Sequence, residues 1–344
     1  MAEILLCFIW ALVISIFAMP SIIYVAESKK LLNFPNERTT HVVSVPRLGG
    51  LAIFAGFLSS VMIFGDVSRN VQYLLAGCIV LFYIAVKDDL VAVSAFKKFF
   101  VQILATGILI FLGDFRITNF HGLLGIHELS YGVSYAFTMI TVLALTNSVN
   151  LIDGINGLAG SLIVCASLVI AFMLYFVSSE KPLVLVAMAL AGSVLGFLRY
   201  NFGKATIFMG DTGSLVCGFI LSALLIRLIE VVPFPNAPIL AMSIVFVPIV
   251  DTLRITFIRI INGRSPFSSD KNHIHHKLLF AGINPIAIVG ILSLVNFSTF
   301  LLFWWMSAED VNINLLVFGI MTSLFILSCH FLKEKKNMKE DVAV

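Results

Sequence analysis

The stretch ILLCFIWALVISIFAMPSIIYV, residues 4–25, contains no charged side chain. A helix needs about 20 mostly apolar residues to cross a bilayer, so this stretch predicts a membrane-spanning helix. A cleaved secretory signal is the alternative, but the stretch lacks a basic start and a small-residue cleavage site. We therefore expect the stretch to remain in the protein as a transmembrane helix.

Comparable apolar stretches recur along the chain of 344 residues. Hydrophobic residues make up 60% of the chain and charged residues 12%, and the mean hydropathy is +1.04. Soluble domains contain about a quarter charged residues. We predict an all-α, polytopic integral membrane protein with about 11 transmembrane helices. Their centres fall near residues 14, 57, 78, 106, 142, 168, 190, 220, 247, 297 and 322. The run at 134–149 is short, and 239–262 contains Asp251, Arg254 and Arg259.

The chain shows no internal repeat, and we interpret residues 1–344 as one transmembrane domain with a cytoplasmic polar tail at 333–344. The glycine-containing stretch 114–133 predicts a hairpin or irregular excursion on the outer side. All five cysteines lie in apolar runs without a CxxC pair. This pattern indicates packed side chains rather than disulfides or a zinc site.

Positive charge is distributed unevenly between the loops. With eleven spans the loops alternate between two sides, and 18 of the 22 lysines and arginines fall on one of them. The positive-inside rule places that side in the cytoplasm. Topology alone explains most of this asymmetry, which the formal net charge of +3 conceals.

Five polar stretches interrupt the apolar pattern, and all of them fall on the predicted cytoplasmic side. They are NFPNERTTHVVSVPRLGG (33–50), KDDLVAVSAFKKFFVQ (87–102), NSVNLIDGINGLAG (147–160), FMGDTGS (208–214) and SPFSSDKNHIHHKL (265–278). Ionisable residues at membrane helices are costly and mark functional sites. The five stretches therefore predict cytoplasmic catalytic loops that form one site.

Asp88 and Asp89 are adjacent carboxylates at the end of a predicted helix. Such a pair suits a divalent metal ion or a general base, since a desolvated carboxylate needs a cation or basic group beside it. A helix-end charge pair with the nearby lysines is the structural alternative. Asp211 precedes Thr, Gly and Ser, so the N-cap of a helix is the alternative role for its side chain.

Asn150, Asp153 and Asn156 recur at every third position and would share one face of a helix. Gly154 and Gly157 favour instead a broken or closely approached backbone, and small residues beside polar ones are also common in membrane helix packing. Carboxylate and amide oxygens without a thiol favour magnesium or manganese over a softer metal.

His273, His275 and His276 lie within four positions. Imidazole suits zinc or nickel, so a transition-metal site is one interpretation. A helix would place His273 and His276 on one face and His275 away from it, which makes a site for a single ion difficult to form. Because the loop is basic and the other polar stretches contain carboxylates, we expect an anion clamp that faces a metal site. Phosphate fits both the clamp and the metal site, because basic groups bind its oxygens and a metal ion neutralises its charge.

The motifs NxPNxRxxHxxxxPRxGG, DD, NLIDGINGLAG, FMGDTGSL and DKxHIHHKL, in this order, resemble those of the polyprenyl-phosphate N-acetylhexosamine-1-phosphate transferases, glycosyltransferase family 4. The HIHH and PRLGG spellings resemble the bacterial branch that initiates O-antigen, common antigen, teichoic acid or capsule synthesis. The alternative within the superfamily is phospho-MurNAc-pentapeptide transferase of peptidoglycan synthesis. Ala92 departs from the pattern, since many relatives have a third polar residue there.

The resemblance implies transfer of N-acetylhexosamine-1-phosphate, with GlcNAc-1-phosphate favoured, from a UDP-sugar to undecaprenyl phosphate. UMP leaves, in one step or through a covalent intermediate. It also implies Mg²⁺, with Mn²⁺ as the alternative, and a bacterial cytoplasmic (inner) membrane location with the active site facing the cytoplasm. Expected partners are both substrates and membrane lipid, without nucleic acid; a homodimer is left open. A multi-span transporter is the alternative of another class, although it would repeat mid-bilayer charges between two halves.

By the same resemblance, Asp211 and Asn150 would bind magnesium, and Asp88 and Asp89 would lie beside the lipid phosphate. Asp153 would lie near the reacting centre. The residues that the resemblance assigns to substrate binding are Arg47, Lys98, Asn156, Phe208, His273, His275 and His276. Among these, Lys98 and the histidines would contact the diphosphate, and Phe208 and Asn156 the uracil.

Overall fold

The computed structural model describes residues 1–31, 45–66, 69–178, 180–263 and 272–330. The predicted polar tail at 333–344 lies outside the described residues, as do the first part of the 33–50 stretch and residues 265–271.

The described chain is mostly helical, with a single small hairpin. Its elements are α1 (Ala2–Ser28), α2 (Gly49–Phe64), α3 (Arg69–Leu90), α4 (Ala95–Gly107, extended by a π-helical turn over Ile108–Leu112), β1 (Asn119–Leu123), β2 (Ile126–Glu128), α5 (Tyr131–Leu151), α6 (Leu158–Val177), α7 (Lys181–Asn201), α8 (Gly210–Val231), α9 (Ala237–Ile244), α10 (Phe246–Ile261), α11 (Ile274–Phe280), α12 (Pro285–Trp305) and α13 (Val311–His330).

Helices occupy all eleven predicted centres. Nine helices of the described residues are long and apolar enough to cross a bilayer. At the tenth position, α2 is apolar but has only 16 residues. At the eleventh, near residue 247, the predicted single helix is two helices, α9 and α10. The prediction of an all-α, polytopic integral membrane protein is confirmed.

The break between α9 and α10 has a local cause. Pro248 lies in the first turn of α10, and a proline ring clashes with the carbonyl four residues earlier, here that of Ile244. The side chain of Asn296 on α12 compensates for the break. Its amide donates to the Ile244 carbonyl at 2.6 Å, and its oxygen accepts from Val247 N at 3.1 Å. A polar side chain from another helix thus satisfies backbone groups that lipid could not.

Helix α8 lies at the centre of the bundle. It contacts α2, α3, α5, α6, α7 and α9, and 83% of its most apolar window is buried. Helix α1 packs against α2 and α7 at one side of the bundle. Because α8 begins at Gly210, within the FMGDTGS stretch, the most enclosed helix carries its polar end to the candidate site.

The predicted excursion at 114–133 is an antiparallel hairpin. Asn119 pairs with Glu128 and Leu123 with Ile126. Glu230, near the end of α8, holds the start of the hairpin by accepting from Thr118 N at 2.8 Å. The end of α8 opposite to the candidate site is therefore fixed as well.

Candidate active site

The start of α8 is joined to the PRLGG stretch by backbone hydrogen bonds. Phe208 N donates to Pro46 O at 2.8 Å, and Gly50 N donates to Met209 O at 2.9 Å. A methyl group on Gly50 would overlap the backbone of Gly213, so only glycine permits this approach of α2 to α8. Two motifs more than 150 residues apart thus form one rigid unit.

Asp89 caps α8 from the neighbouring helix α3. Its Oδ1 accepts from Asp211 N at 2.8 Å, and its Oδ2 accepts from Thr212 N at 2.9 Å and from the Thr212 hydroxyl. These donors belong to the first turn of α8, whose amides have no partners within the helix. The alternative in which Asp211 is the N-cap is therefore wrong, because Asp89 has that role and leaves the Asp211 side chain available.

Asp88, Lys98 and Asp211 form what we call the carboxylate–lysine cluster. Lys98 Nζ lies 3.0 Å from Asp88 Oδ2 and 2.9 Å from Asp211 Oδ2. Asp88 Oδ1 also accepts from Val93 N, at 2.6 Å, in the turn between α3 and α4. The three side chains are 15–29% exposed, so water and a soluble ligand can reach them. The helix-end ion pair considered for Asp88 is present, and it extends to Asp211.

The NLIDGING stretch joins this cluster from α5. The side-chain amide of Asn150 donates to Ser214 Oγ at 2.8 Å and lies 3.4 Å from Asp211 Oδ1. One turn earlier, Asn147 donates to the buried Gln102 of α4 at 2.8 Å. The stretches at 87–102, 147–160 and 208–214 therefore meet through side-chain contacts.

Asp153 lies in the turn after α5, within range of the charges of Asp211, Asp89 and Arg47. Burial raises the pKa of the Asp153 carboxyl to about 7, and the negative charges of Asp211 and Asp89 add to this effect while Arg47 opposes it. The exposed Arg47 side chain thus supplies positive charge to the same region. Asp153 changes protonation near neutral pH.

The predicted uracil-binding residues lie beside this turn. Asn156 donates to Gly203 O at 3.0 Å. Asn201, which is 2% exposed, accepts from Gly157 N at 2.7 Å and donates to Ile207 O at 2.9 Å. It therefore fixes both the turn that contains Asn156 and the backbone next to Phe208. The buried amide of Asn201 thus connects the segments that contain Asn156 and Phe208.

The histidine segment, His273–His276, differs from its predicted geometry. His273 precedes α11 as its N-cap, and the His275 ring, predicted to point away, lies between the other two. Its ring centroid is 5.6 Å from that of His273 and 4.4 Å from that of His276. A methyl group on Gly154 would overlap His275 Nε2. The histidine segment therefore packs directly on the NLIDGING stretch.

His275 is only 1% exposed, and its Nδ1 has no hydrogen-bond partner among the described residues. Burial lowers the pKa of His275 to about 3, with a further contribution from the neighbouring His276. The ring is therefore neutral at neutral pH. It does not act as the cation that the anion-clamp interpretation assumed, although its ring nitrogens remain hydrogen-bonding groups.

Asp251, Arg254 and His273 form a second group, the buried cluster, which the sequence did not predict. Asp251 Oδ2 accepts from His273 Nδ1 at 2.8 Å, and Asp251 Oδ1 accepts from an Arg254 guanidinium nitrogen at 2.8 Å. In the sequence, Asp251 and Arg254 are only an irregularity of a predicted span. Their spacing of three in an apolar helix was the available signal, since intramembrane ionisable residues are functional by default.

The donor set at the carboxylate–lysine cluster fits magnesium. Asp88 and Asp211 already converge on one cation, the ammonium of Lys98. Among the described residues no group of three or more His, Cys, Asp or Glu side chains could hold a metal ion. Magnesium does not require such a cage, because proteins bind it through one or two carboxylates together with substrate phosphates and water. A zinc site at the histidines lacks this support.

Comparison with known proteins supplies independent information. A family model described as Glycosyl transferase family 4 matches residues 71–229, which include the carboxylate–lysine cluster. The probable undecaprenyl-phosphate N-acetylglucosaminyl 1-phosphate transferase of Bacillus subtilis (strain 168) is 33% identical over 303 residues, covering 86% of this chain and 83% of the relative.

Two further relatives have similar names. The decaprenyl-phosphate N-acetylglucosaminephosphotransferase of Mycobacterium leprae (strain TN) is 31% identical over 310 residues, covering 81% of this chain and 78% of the relative. The undecaprenyl-phosphate alpha-N-acetylglucosaminyl 1-phosphate transferase of Escherichia coli (strain K12) is 29% identical over 263 residues, covering 75% of this chain and 71% of the relative.

Proposed function

Because the chain belongs to glycosyl transferase family 4, the polyprenyl-phosphate N-acetylhexosamine-1-phosphate transferases, we propose that it transfers GlcNAc-1-phosphate from a UDP-sugar to undecaprenyl phosphate. The products are UMP and a lipid-linked diphosphate sugar. The relatives' names support undecaprenyl phosphate and an N-acetylglucosaminyl group as the substrates. We place the protein in a bacterial inner membrane with its site facing the cytoplasm, where the positive-inside rule puts the basic loops.

The observation that carries this proposal is the convergence of Asp88 and Asp211 on Lys98 at the ends of three helices. Phosphoryl transfer requires mainly the positioning of two phosphates and the neutralisation of their charge. A lipid acceptor and a water-soluble donor can meet only at the membrane surface. Partly exposed charged groups at helix ends suit that meeting.

Magnesium, held by Asp211 with Asn150 beside it, would neutralise charge on the donor diphosphate. Lys98 donates from its ammonium to the same phosphate oxygens while it remains paired with Asp88. Asp88, the other carboxylate paired with Lys98, would lie beside the acceptor phosphate and accept its proton. Asp89 keeps α8, and therefore Asp211, in register. Each of these roles uses a contact that the folded chain already makes.

The remaining predicted residues surround the donor. Phe208 and Asn156 lie on segments joined by Asn201 and provide a face and an amide for the uracil. Asp153 lies within range of the charges of Arg47 and Asp211. The histidine segment packs on Gly154, next to Asp153. Membership in a transferase family, together with charged groups gathered at helix ends, disfavours transport as the function.

The direct test uses purified protein with undecaprenyl phosphate, magnesium and a panel of labelled UDP-N-acetyl sugars. We expect a labelled lipid product and one UMP for each sugar phosphate transferred, with UDP-GlcNAc as the best donor. A reaction without undecaprenyl phosphate is the control for donor hydrolysis. Absence of lipid product with every donor would refute the proposal.

A further inference from the structure

The proposed mechanism gives no role to Asp251 and Arg254, which form the buried cluster together with His273. These residues are 1%, 6% and 5% exposed, so none of them is open to a soluble donor. An ionised group inside a protein is costly unless it is paired and hydrogen-bonded. The cluster therefore requires a function that does not depend on direct access to solvent.

Asp251 uses both carboxylate oxygens to hold the start of α11. Besides its bonds to Arg254 and His273, its Oδ1 accepts from Ile274 N, the first amide of α11, at 3.0 Å. Arg254 also donates to the carbonyl of Asn272. Helix α10 thus forms hydrogen bonds with three successive residues, 272–274. Helix α10, inside the bundle, therefore helps to set the position of α11.

The three histidine rings transmit this position to the site. The His273 ring is nearly parallel to that of His275, with an interplanar angle of 13°. His275 contacts His276 on one side and packs on Gly154, the neighbour of Asp153, on the other. A shift of His273 would therefore displace the rings that face the NLIDGING stretch.

We propose that Asp251 and Arg254 are positioning residues for donor binding, acting through His273. On this proposal, which rests on the proposed function, His273 does not contact the diphosphate. Its Nδ1 hydrogen bond to Asp251 fixes the start of α11, and His276 is the member of the segment that faces the donor. The buried cluster contributes to the affinity for the UDP-sugar and not to the affinity for the lipid phosphate.

Hydrogen exchange tests the positional part of the proposal without requiring activity. Asp251→Asn should accelerate amide exchange over residues 274–280 and leave residues 210–231 as in the wild type. The matched control is Asp310→Asn, because Asp310 Oδ1 likewise accepts a helix-terminal amide, that of Asn312, but far along the chain from the histidines. Unchanged exchange over 274–280 would overturn the proposal.

Kinetics with two His273 variants test the functional part. His273→Asn keeps a side-chain N–H that can donate to Asp251, whereas His273→Leu fills the space without a donor. The Leu variant should raise KM for the UDP-sugar by about tenfold to 10²-fold and leave KM for undecaprenyl phosphate unchanged. The Asn variant should stay close to the wild type. Equal loss in both variants would show that the imidazole ring, and not its hydrogen bond to Asp251, is required, and would overturn the positioning role.

The two measurements separate the two proposals. If the wild type forms no lipid product but Asp251→Asn accelerates exchange over 274–280, the proposed function fails and the positional role stands. If the wild type is active and the exchange and both KM values are unaffected by the variants, the positioning role fails alone. Should Asp251→Asn not fold, exchange in His273→Leu against His273→Asn provides the same decision.

Discussion

The carboxylate–lysine cluster and the buried cluster each combine aspartate with a basic side chain, but they differ in exposure. The side chains of Asp88, Lys98 and Asp211 are 15–29% exposed, whereas those of the buried cluster are 1–6% exposed. In the first, a lysine with rotatable N–H groups bridges two carboxylates that a substrate or metal can reach. In the second, each carboxylate oxygen is bonded within the fold. Solvent-accessible ion pairs are suited to binding ligands and to catalysis, and buried ion pairs are suited to positioning other groups.

Asp211→Asn should have the largest effect, because it removes a charge from the open cluster at the predicted metal ligand. A loss of several kcal/mol of transition-state stabilisation corresponds to a fall in kcat of about 10³-fold, with thermal stability unchanged. Product formation at saturating substrates is the measurement. Asp114→Asn, which removes an exposed carboxylate beside Arg116, should be fully active. Normal turnover in Asp211→Asn would remove the assignment of metal binding to this residue.

Lys98→Met should reduce kcat/KM by about 10²-fold, because it leaves Asp88 and Asp211 without the cation between them. Lys97→Met is the matched control, since Lys97 is the exposed neighbour on the same helix and should retain activity. Steady-state kinetics with both substrates would show the difference. If the two methionine variants behaved alike, the bridge would be a surface ion pair without catalytic importance.

The variants Asp88→Asn and Asp89→Asn should distinguish the catalytic role of Asp88 from the structural role of Asp89. Asp89→Asn removes an acceptor from the first turn of α8 and should lower the free energy of unfolding by about 1–2 kcal/mol. Asp88→Asn keeps an oxygen for Val93 N and should lose activity with a smaller loss of stability. Thermal melting and turnover, measured on both variants, check this. A larger melting shift for Asp88→Asn would reverse the two roles.

The pH dependence of stability should have opposite signs for Asp153, in the site, and His275, beside the buried cluster. The pKa of Asp153 is raised from 3.8 to about 7, so the folded state binds the extra proton and stability falls as pH rises between these values. The pKa of His275 is lowered from 6.5 to about 3. The unfolded state then binds the extra proton, and stability rises with pH across that interval.

These two contributions should largely cancel between about pH 4 and pH 6.5. In melting curves recorded with a chelator, the stability of Asp153→Asn should rise with pH, because only the His275 contribution remains. The stability of His275→Asn should fall with pH. Identical pH dependence in the wild type and both variants would contradict these pKa shifts.

Much of the fold could be predicted from the sequence, because apolar runs of about 20 residues leave a chain few alternatives in a bilayer. The broken span near 247 was the main exception, although Pro248 provides its cause. Periodicity along a single helix cannot reveal that Asn296 on another helix satisfies the freed carbonyl. The same limit explains why Asn201 was missed, since an isolated asparagine at a helix end carries no distinctive pattern.

That the polar stretches meet could be predicted from the sequence, whereas the contacts between them could not. Five ordered motifs were sufficient to bring Asp88, Lys98, Asn150 and Asp211 together. The sequence could not show that Asp89 caps a helix while its neighbour faces Lys98, because adjacent residues in a helix point in directions about 100° apart. Nor could it show that His275 is neutral, since that depends on burial against Gly154.

The hydrogen bond between Asp89 and the first turn of α8 joins residues 122 positions apart. During synthesis, α3 therefore leaves the ribosome long before the helix that it caps, and four intervening long apolar helices and a hairpin must be made first. Insertion into the bilayer and completion of the site are then separate events. A nascent chain that stops before Gly210 would carry membrane helices and a carboxylate awaiting its partner, and catalytic competence would arise only with the emergence of α8.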